Sequence, residues 1–388
     1  MSKIKILFVV AGFYRAGAER FAYEIDKALD KEKFELTIFC LERQNKMSPL
    51  WKDRYYENLH RELGTKIKYA DQYFPHKSTE VIYRLRQYLN LHPERISYWK
   101  RGLNDFMDQF DVIHWMGEYI YINTIADKIR EKSLIHMMTA RFQKRDLYDS
   151  FDHHSFYNFY TPFKDAELKY ELEQFKDYHS VFVPLILEIN KNKKKWEFRT
   201  SSIKKIGIFT RLDRFKPLDP FFYSFHLLLD KMPNCELHIY GNGDPDKEDM
   251  NAFLDRIRIK DKVFFRGHQE DIVQTAIDDE LSLSWFQGYN NDRPAGYAGF
   301  DICTTGTPLL CWDFHPYPKD YYNPIYPHYK NLNQFVEKTI EILTNKEQAE
   351  ELSLKQYQDV VDSRDVNNYI SVIQDEYIRI VSKTKLKQ

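Results

Sequence analysis

From Ile4 to Val10 the chain reads IKILFVV, a nearly unbroken apolar run rich in β-branched residues. Such a run suits a strand covered on both faces, as in a parallel sheet, and parallel strands require a crossover between them. The sequence supplies one. After the loop GFYRAGAER comes FAYEIDKALDK, where Phe21, Ile25 and Leu29 recur at helical spacing, and then FELTIFCL, a second buried-strand candidate. This β-loop-α-β grammar, right-handed in a parallel sheet, commits the opening of the chain to a doubly wound α/β domain.

TKIKYA, DVIHWM, SLIHMMTA and SVFVPL carry further strands to about Leu185, while the pair His153-His154 after Asp152 has no fitting ligand set and reads as loop. The stretch EINKNKKKWEFRTSS is polar, lysine-rich and without hydrophobic period, as an exposed inter-domain connection should be. A fresh α/β pattern follows: KKIGIFTRL, a helix through FFYSFHLLLDKM, CELHIYGNG, a helix from about Lys247 to Arg258, KVFFRG, then LSLSWF and TPLLCW. Amphipathic helices end the chain. A length of 388 residues is too great for one ordinary core. The expected class is α/β, with Rossmann-like domains over 1–190 and 201–370 and a helix over 371–388. Ligands of such sheets gather at the carboxyl ends of the strands.

Composition narrows the functional classes. A formal net charge of -1 supplies no global field for nucleic acid, so none is expected as a partner. The 4 cysteines are scattered, with neither CxxC pairs nor histidines at zinc spacing, which fits a reducing compartment. No run of eighteen apolar residues is present, so a cytoplasmic protein is expected, at most peripheral to the inner face of a membrane. The 28 Tyr and 28 Phe read chiefly as compositional bias, since stacking on sugars needs only one or two of them.

Chemistry-bearing residues gather where the second domain's strands end. Arg211 and Lys216 stand just past a predicted strand, where a guanidinium fork and an ammonium could clamp a diphosphate through charge-assisted bonds. Gly241 and Gly243 end the next strand and permit close backbone approach to a ligand. Phe265, Gly267 and His268 end the following one, where a base could stack or bond to the backbone. Any of these alone is an ordinary loop feature; their order along the chain carries more weight.

That order resembles the nucleotide-binding half of the GT-B glycosyltransferases of family 4. The elements are Arg211 with Lys216; Ile239, Gly241 and Gly243; Val263, Phe265 and Gly267; Ser284, Gln287, Gly288 and Tyr289; and Asp301, Gly306 and Pro308. Gly17-Ala18-Glu19-Arg20 is similar to the family's glycine-rich turn, with Ala16 replacing its first glycine. The resemblance implies two Rossmann-like domains facing a cleft and a C-terminal helix packing back on the first. It implies a retaining transfer of sugar from a nucleoside-diphosphate sugar to a hydroxyl of a glycan or lipid-linked acceptor. Arg211 and Lys216 would neutralise the departing diphosphate with neither metal nor cofactor. Asp301 would hold the ribose hydroxyls, and Gly17 would face the donor at a helix start.

The chain departs from the family at two places. Gln287 stands where a glutamate commonly touches the donor sugar, and the loop before Asp301 is long. A gapless count instead puts Arg293 in the glutamate's place, with Ala295, Gly296 and Tyr297 giving backbone amides; Gln287 with an insertion is preferred because Ser284, Gly288 and Tyr289 then match, and Asp292 is a substitute for the missing acid. In the first domain Thr139 falls where the family's histidine would, and His136 reads as buried by period-two alternation. His114, which reads as the strand end within DVIHWMGEY, and Glu118 just past that strand are the candidates to reach the crevice, Glu118 as a base should the reaction invert. The basic, aromatic segment 76–101 is a candidate membrane-surface contact beside a lipid-linked acceptor. Two rival readings stay open: a GT-B-like nucleotide-sugar epimerase, and a degenerate, non-catalytic sugar-nucleotide-binding protein.

Overall fold

A computed structural model describes residues 2–42, 44, 53–72, 97–116, 126–137, 154–157, 181–190, 196–212, 216–288, 296–314 and 325–386. The chain divides into two compact units, one formed by Met1–Glu188 with Val366–Gln388, the other by Ile189–Asp365. The helix that closes the first unit therefore lies in a segment that rejoins it at Val366, ahead of the expected 371.

The first unit contains β1 (Ile4–Val10), β2 (Phe34–Cys40), β3 (Lys66–Tyr69), β4 (Val112–Met116), β5 (Ser133–Met137), β6 (His154–Tyr157) and β7 (Val181–Phe182). They form a parallel sheet in the order β3-β2-β1-β4-β5-β6-β7, which reverses direction between β1 and β4. Among the described residues ahead of the second unit its helices are α1 (Gly17–Ala28), α2 (Tyr55–Glu62), α3 (Ser97–Met107) and α4 (Asp127–Arg130). The period read from the sequence is the one that packs: Phe21, Ile25 and Leu29 of the α1 region are all buried. The same face also buries Asp26, at a cost that only full pairing can offset. Asp26 Oδ2 lies 2.6 Å from His60 Nδ1 of α2, both its oxygens accept from Thr65 Oγ1, and Lys31 pairs with it as well. Burial alone would raise the Asp26 carboxyl, but the hydrogen bond from His60 and the charges of His60 and Lys31 hold it below the usual range. This cluster ties α1, α2 and the entry to β3 together.

The second unit contains β8 (Lys204–Phe209), β9 (Cys235–Tyr240), β10 (Val263–Gly267), β11 (Leu283–Gly288), β12 (Leu309–Asp313) and β13 (His328–Tyr329). They are parallel, in the order β10-β9-β8-β11-β12-β13. Its helices are α5 (Asp219–Lys231), α6 (Met250–Arg256), α7 (Ile272–Asp278), α8 (Tyr297–Thr305), α9 (Leu332–Thr344) and α10 (Lys346–Arg364). One core joins Phe221, Phe225 and Leu228 of α5, Trp285 of β11, and Phe335 and Val336 of α9. From α10 the buried Gln356 accepts from the Leu309 amide and donates to the Leu309 and Ile325 carbonyls, each at 2.8 Å, so one side chain satisfies backbone groups around β12.

The last helix, α11 (Ile370–Leu386), belongs to the first unit and buries Ile373, Tyr377 and Ile380. Tyr377 Oη and His114 Nδ1 form a 2.8 Å hydrogen bond. His114 is central in β4 and 0% exposed, stacked beside His136 of β5. The expectation that His114 ends its strand and reaches a substrate crevice is thus corrected: it is a core residue, held by a helix from the far end of the chain. His154 opens β6 and is not part of a loop as the sequence suggested, while Glu118, Thr139 and His153 lie outside the described residues. The segment 76–96 also lies outside them, and from Ser97 to Arg101 only the helical backbone is described. Among the described residues no helix is long and apolar enough to cross a membrane.

Burial pushes both histidines toward the neutral form, His114 well down with His136 adding to the effect, and His136 to about 3. A depressed folded-state pKa means that the unfolded chain binds more protons, so this stabilisation is complete above about pH 6.5 and declines as pH falls below it. His136 alone should then cost about 1.4 kcal/mol per pH unit lost below pH 6.5. Denaturant unfolding at pH 7.5 and 5.5 should show a clear loss in the wild type and a shallower one in His136→Leu. Equal slopes in both proteins would mean that neutral burial is not the cause.

Candidate functional site

In the second sheet the strand order reverses between β8 and β11, and open parallel sheets bind ligands just outside the carboxyl ends at such a point. The loop leaving β8 carries Thr210, the exposed Arg211, the buried Leu212 and the half-buried Lys216 before α5 begins. Leu212 sinks into the core, and that anchor leaves its neighbour Arg211 facing outward. Residues 213–215 lie outside the described set.

The neighbouring glycines have a steric reason. Backbone bonds continue past the strand ends, from Thr210 N to Tyr240 O at 2.9 Å, from Leu212 N to Asn242 O at 2.7 Å, and from Gly241 N to Gly267 O at 2.8 Å. A Cβ on Gly241 would lie 1.7 Å from the Thr210 carbonyl oxygen, and one on Gly243 would lie 2.5 Å from that of Leu212. Gly243 also has φ +133, a conformation that side chains disfavour. These two glycines therefore serve the packing of the loop that carries Arg211. Gly267 differs, with φ +70 but open space around it, and His268 beside it is exposed. Phe265 packs part of its ring against the core.

Gln287, the penultimate residue of β11, is 3% exposed. Its Oε1 accepts from Thr210 Oγ1 at 3.0 Å, and its Nε2 donates to the Pro217 carbonyl at 3.2 Å. In the structure the amide is engaged at both ends of this loop, by Thr210 and by Pro217. The next residue, Gly288, is forced by a neighbour, since a Cβ there would meet the His328 ring at 2.5 Å.

Gly296, with φ +93, leads into α8, whose first residue Tyr297 is buried. The start of this helix faces the same strand edge, because α8 follows β11, and backbone N–H groups at such a start favour anions. Asp301, one turn on, is 4% exposed. Ala295, Asp292 and Arg293 lie outside the described residues. In the first unit Gly17 is the opening residue of α1, beyond the carboxyl end of β1. Two residues later Glu19 has its carboxyl raised by burial, with the Glu42 charge adding to the effect.

Sequence reasoning missed Thr210 and the Pro217 carbonyl as partners of the site. The signal lies in register: β8 and β11 pair Ile208 with Trp285, so two residues further on Thr210 comes beside Gln287. That pairing cannot be read before the strand order is known.

Gly241→Ala and Gly243→Ala should each destabilise the protein by about 1–3 kcal/mol, since strained backbone and close contact coincide there. Gly267→Ala should cost only about 1 kcal/mol, the conformational part alone. Denaturant midpoints for the three variants check this, and equal losses would refute the steric account.

No protein-family model matches the sequence, and no curated protein matches it either. Solved structures do. A glycosyltransferase from Rickettsia africae superposes with a TM-score of 0.65 at 10% identity, covering 98% of this chain and 99% of its own. TarM from S. aureus, a mutant solved with Fondaparinux, alpha-GlcNAc-glycerol and UDP, gives a TM-score of 0.64 at 10% identity over 97% of this chain and 99% of its own. HepE from Anabaena, solved with UDP and glucose, gives 0.62 at 11% identity over 96% and 99%. The chain thus has the fold of GT-B glycosyltransferase structures, two parallel-sheet α/β domains in succession.

Proposed function

We propose that this protein is a glycosyltransferase that moves a sugar from a nucleoside-diphosphate sugar to a hydroxyl of a glycan or lipid-linked acceptor, with retention at the anomeric carbon. The observation that carries this reading is the position of the Arg211 and Lys216 loop, which leaves β8 where the strand order reverses beside β11, the strand that precedes α8. The resemblance to family 4 in residue order supports the same assignment, and so does the fold shared with glycosyltransferases.

In this reading the bond from the anomeric carbon to the diphosphate breaks, the acceptor oxygen forms the new bond, and its proton is taken up by the leaving diphosphate. Arg211 and Lys216 stabilise the charge that develops on the departing group, and the amides opening α8 add a fixed partial positive charge. Asp301 holds the ribose hydroxyls. Acceptor recognition falls to the first unit, and peripheral membrane contact through 76–101 would suit a lipid-linked acceptor. No metal or further cofactor enters the scheme, and the setting is cytoplasmic.

UDP, present in the TarM and HepE structures, is the first nucleotide to try. A thermal-shift screen over UDP, GDP and dTDP sugars should show stabilisation by one nucleotide class. With that donor, Arg211→Ala should lower turnover about 100-fold or more, and EDTA should leave wild-type turnover unchanged. Full activity in Arg211→Ala would discard the clamp, and loss of activity in EDTA would discard the metal-free scheme.

A further inference from the structure

The loop that carries Arg211 and Lys216 begins at Thr210, directly after β8, and ends at Pro217, two residues before α5. Gln287 touches both ends from the next strand, 3.0 Å from the Thr210 hydroxyl and 3.2 Å from the Pro217 carbonyl. The carbonyl can only accept, so the amide nitrogen must face it, and the amide oxygen is left to face the hydroxyl. Gln287 is 3% exposed, so bulk water cannot readily replace either bond.

We propose that Gln287 is a positioning residue for the phosphate clamp: it ties the two ends of the 210–217 loop, fixes the separation of Arg211 and Lys216, and does not read the sugar. This inference rests on the reading of those two cations as the clamp. It gives glutamine, in place of glutamate, a chemical reason. A carboxylate at 287 has no N–H to donate, so it would set two acceptors against each other at Pro217. It would also place a negative charge under a loop that is to receive a diphosphate. For a residue that only accepts bonds from sugar hydroxyls, glutamate would be an adequate replacement. For a tie it is the damaging one.

The experiment uses the full chain as wild type, Gln287→Glu, Thr210→Val and Thr210→Ser, each first shown to melt cooperatively. Binding of free UDP, which has no sugar, is measured by calorimetry, and hydrogen exchange is followed in peptides spanning 210–218 without ligand. Gln287→Glu and Thr210→Val should weaken UDP by about tenfold or more and speed exchange in those peptides, whereas Thr210→Ser, which keeps the hydroxyl, should stay near wild type. A Gln287→Glu protein that binds UDP like the wild type but loses affinity for the UDP-sugar would overturn the proposal, since Gln287 would then read the sugar. If the wild type binds none of UDP, GDP or dTDP, the clamp reading itself fails. Exchange alone then decides the tie, and unchanged exchange in Gln287→Glu would refute it.

Discussion

Strand order in the second sheet reverses between β8 and β11, so the chains leaving these adjacent strands depart toward opposite faces. Backbone diverges there, and something must span the gap. The Gln287 amide does so from β11, while on the other flank of β8 main-chain bonds run on toward β9 and β10 and two glycines let those loops touch. The loop bearing Arg211 and Lys216 is held by its ends and by Leu212, which is buried beneath it. A loop held in this way has less backbone freedom left to lose on any binding, which is the physical meaning of preorganisation.

The alternation of strand and helix was legible because parallel strands covered on both faces are apolar almost throughout, as in Ile4–Val10. The helix faces were legible too, since Phe21 and Ile25 of α1 are buried as their spacing requires. Less visible were short edge strands. His154–Tyr157 and His328–Tyr329 are too brief and too polar to show a period, and they pair only because a neighbour presents its edge. The helix read from Lys247 begins at Met250, because Asp249 takes a left-handed conformation with φ 55 and interrupts the turn before it.

Individual site residues were harder to read because the sequence does not say where a side chain's hydrogen bonds go. By sequence His114 reads as a strand-end residue, yet α11 covers it, and the decisive partner, Tyr377, is 263 positions away. Gln287 was read by its place in a motif, but the motif cannot show that Thr210 and Pro217 claim both ends of its amide. The glycines were placed correctly at strand ends, while their reason turned out to be the carbonyls of Thr210 and Leu212. In each case composition and order located the neighbourhood, and packing assigned the role.

The return of α11 to the first unit has a consequence for how the chain is made. During synthesis the sheet around β4 emerges early, but the helix that covers His114 does not exist until residue 377 has been translated, after the whole of the second unit. Until then the apolar face of the first unit stands open to water and to other nascent chains. Joining segments so far apart adds modest loop-closure entropy, which grows only logarithmically with separation. The delay is therefore kinetic in nature, and it exposes the first half of this protein to chaperones for the time it takes to translate the second.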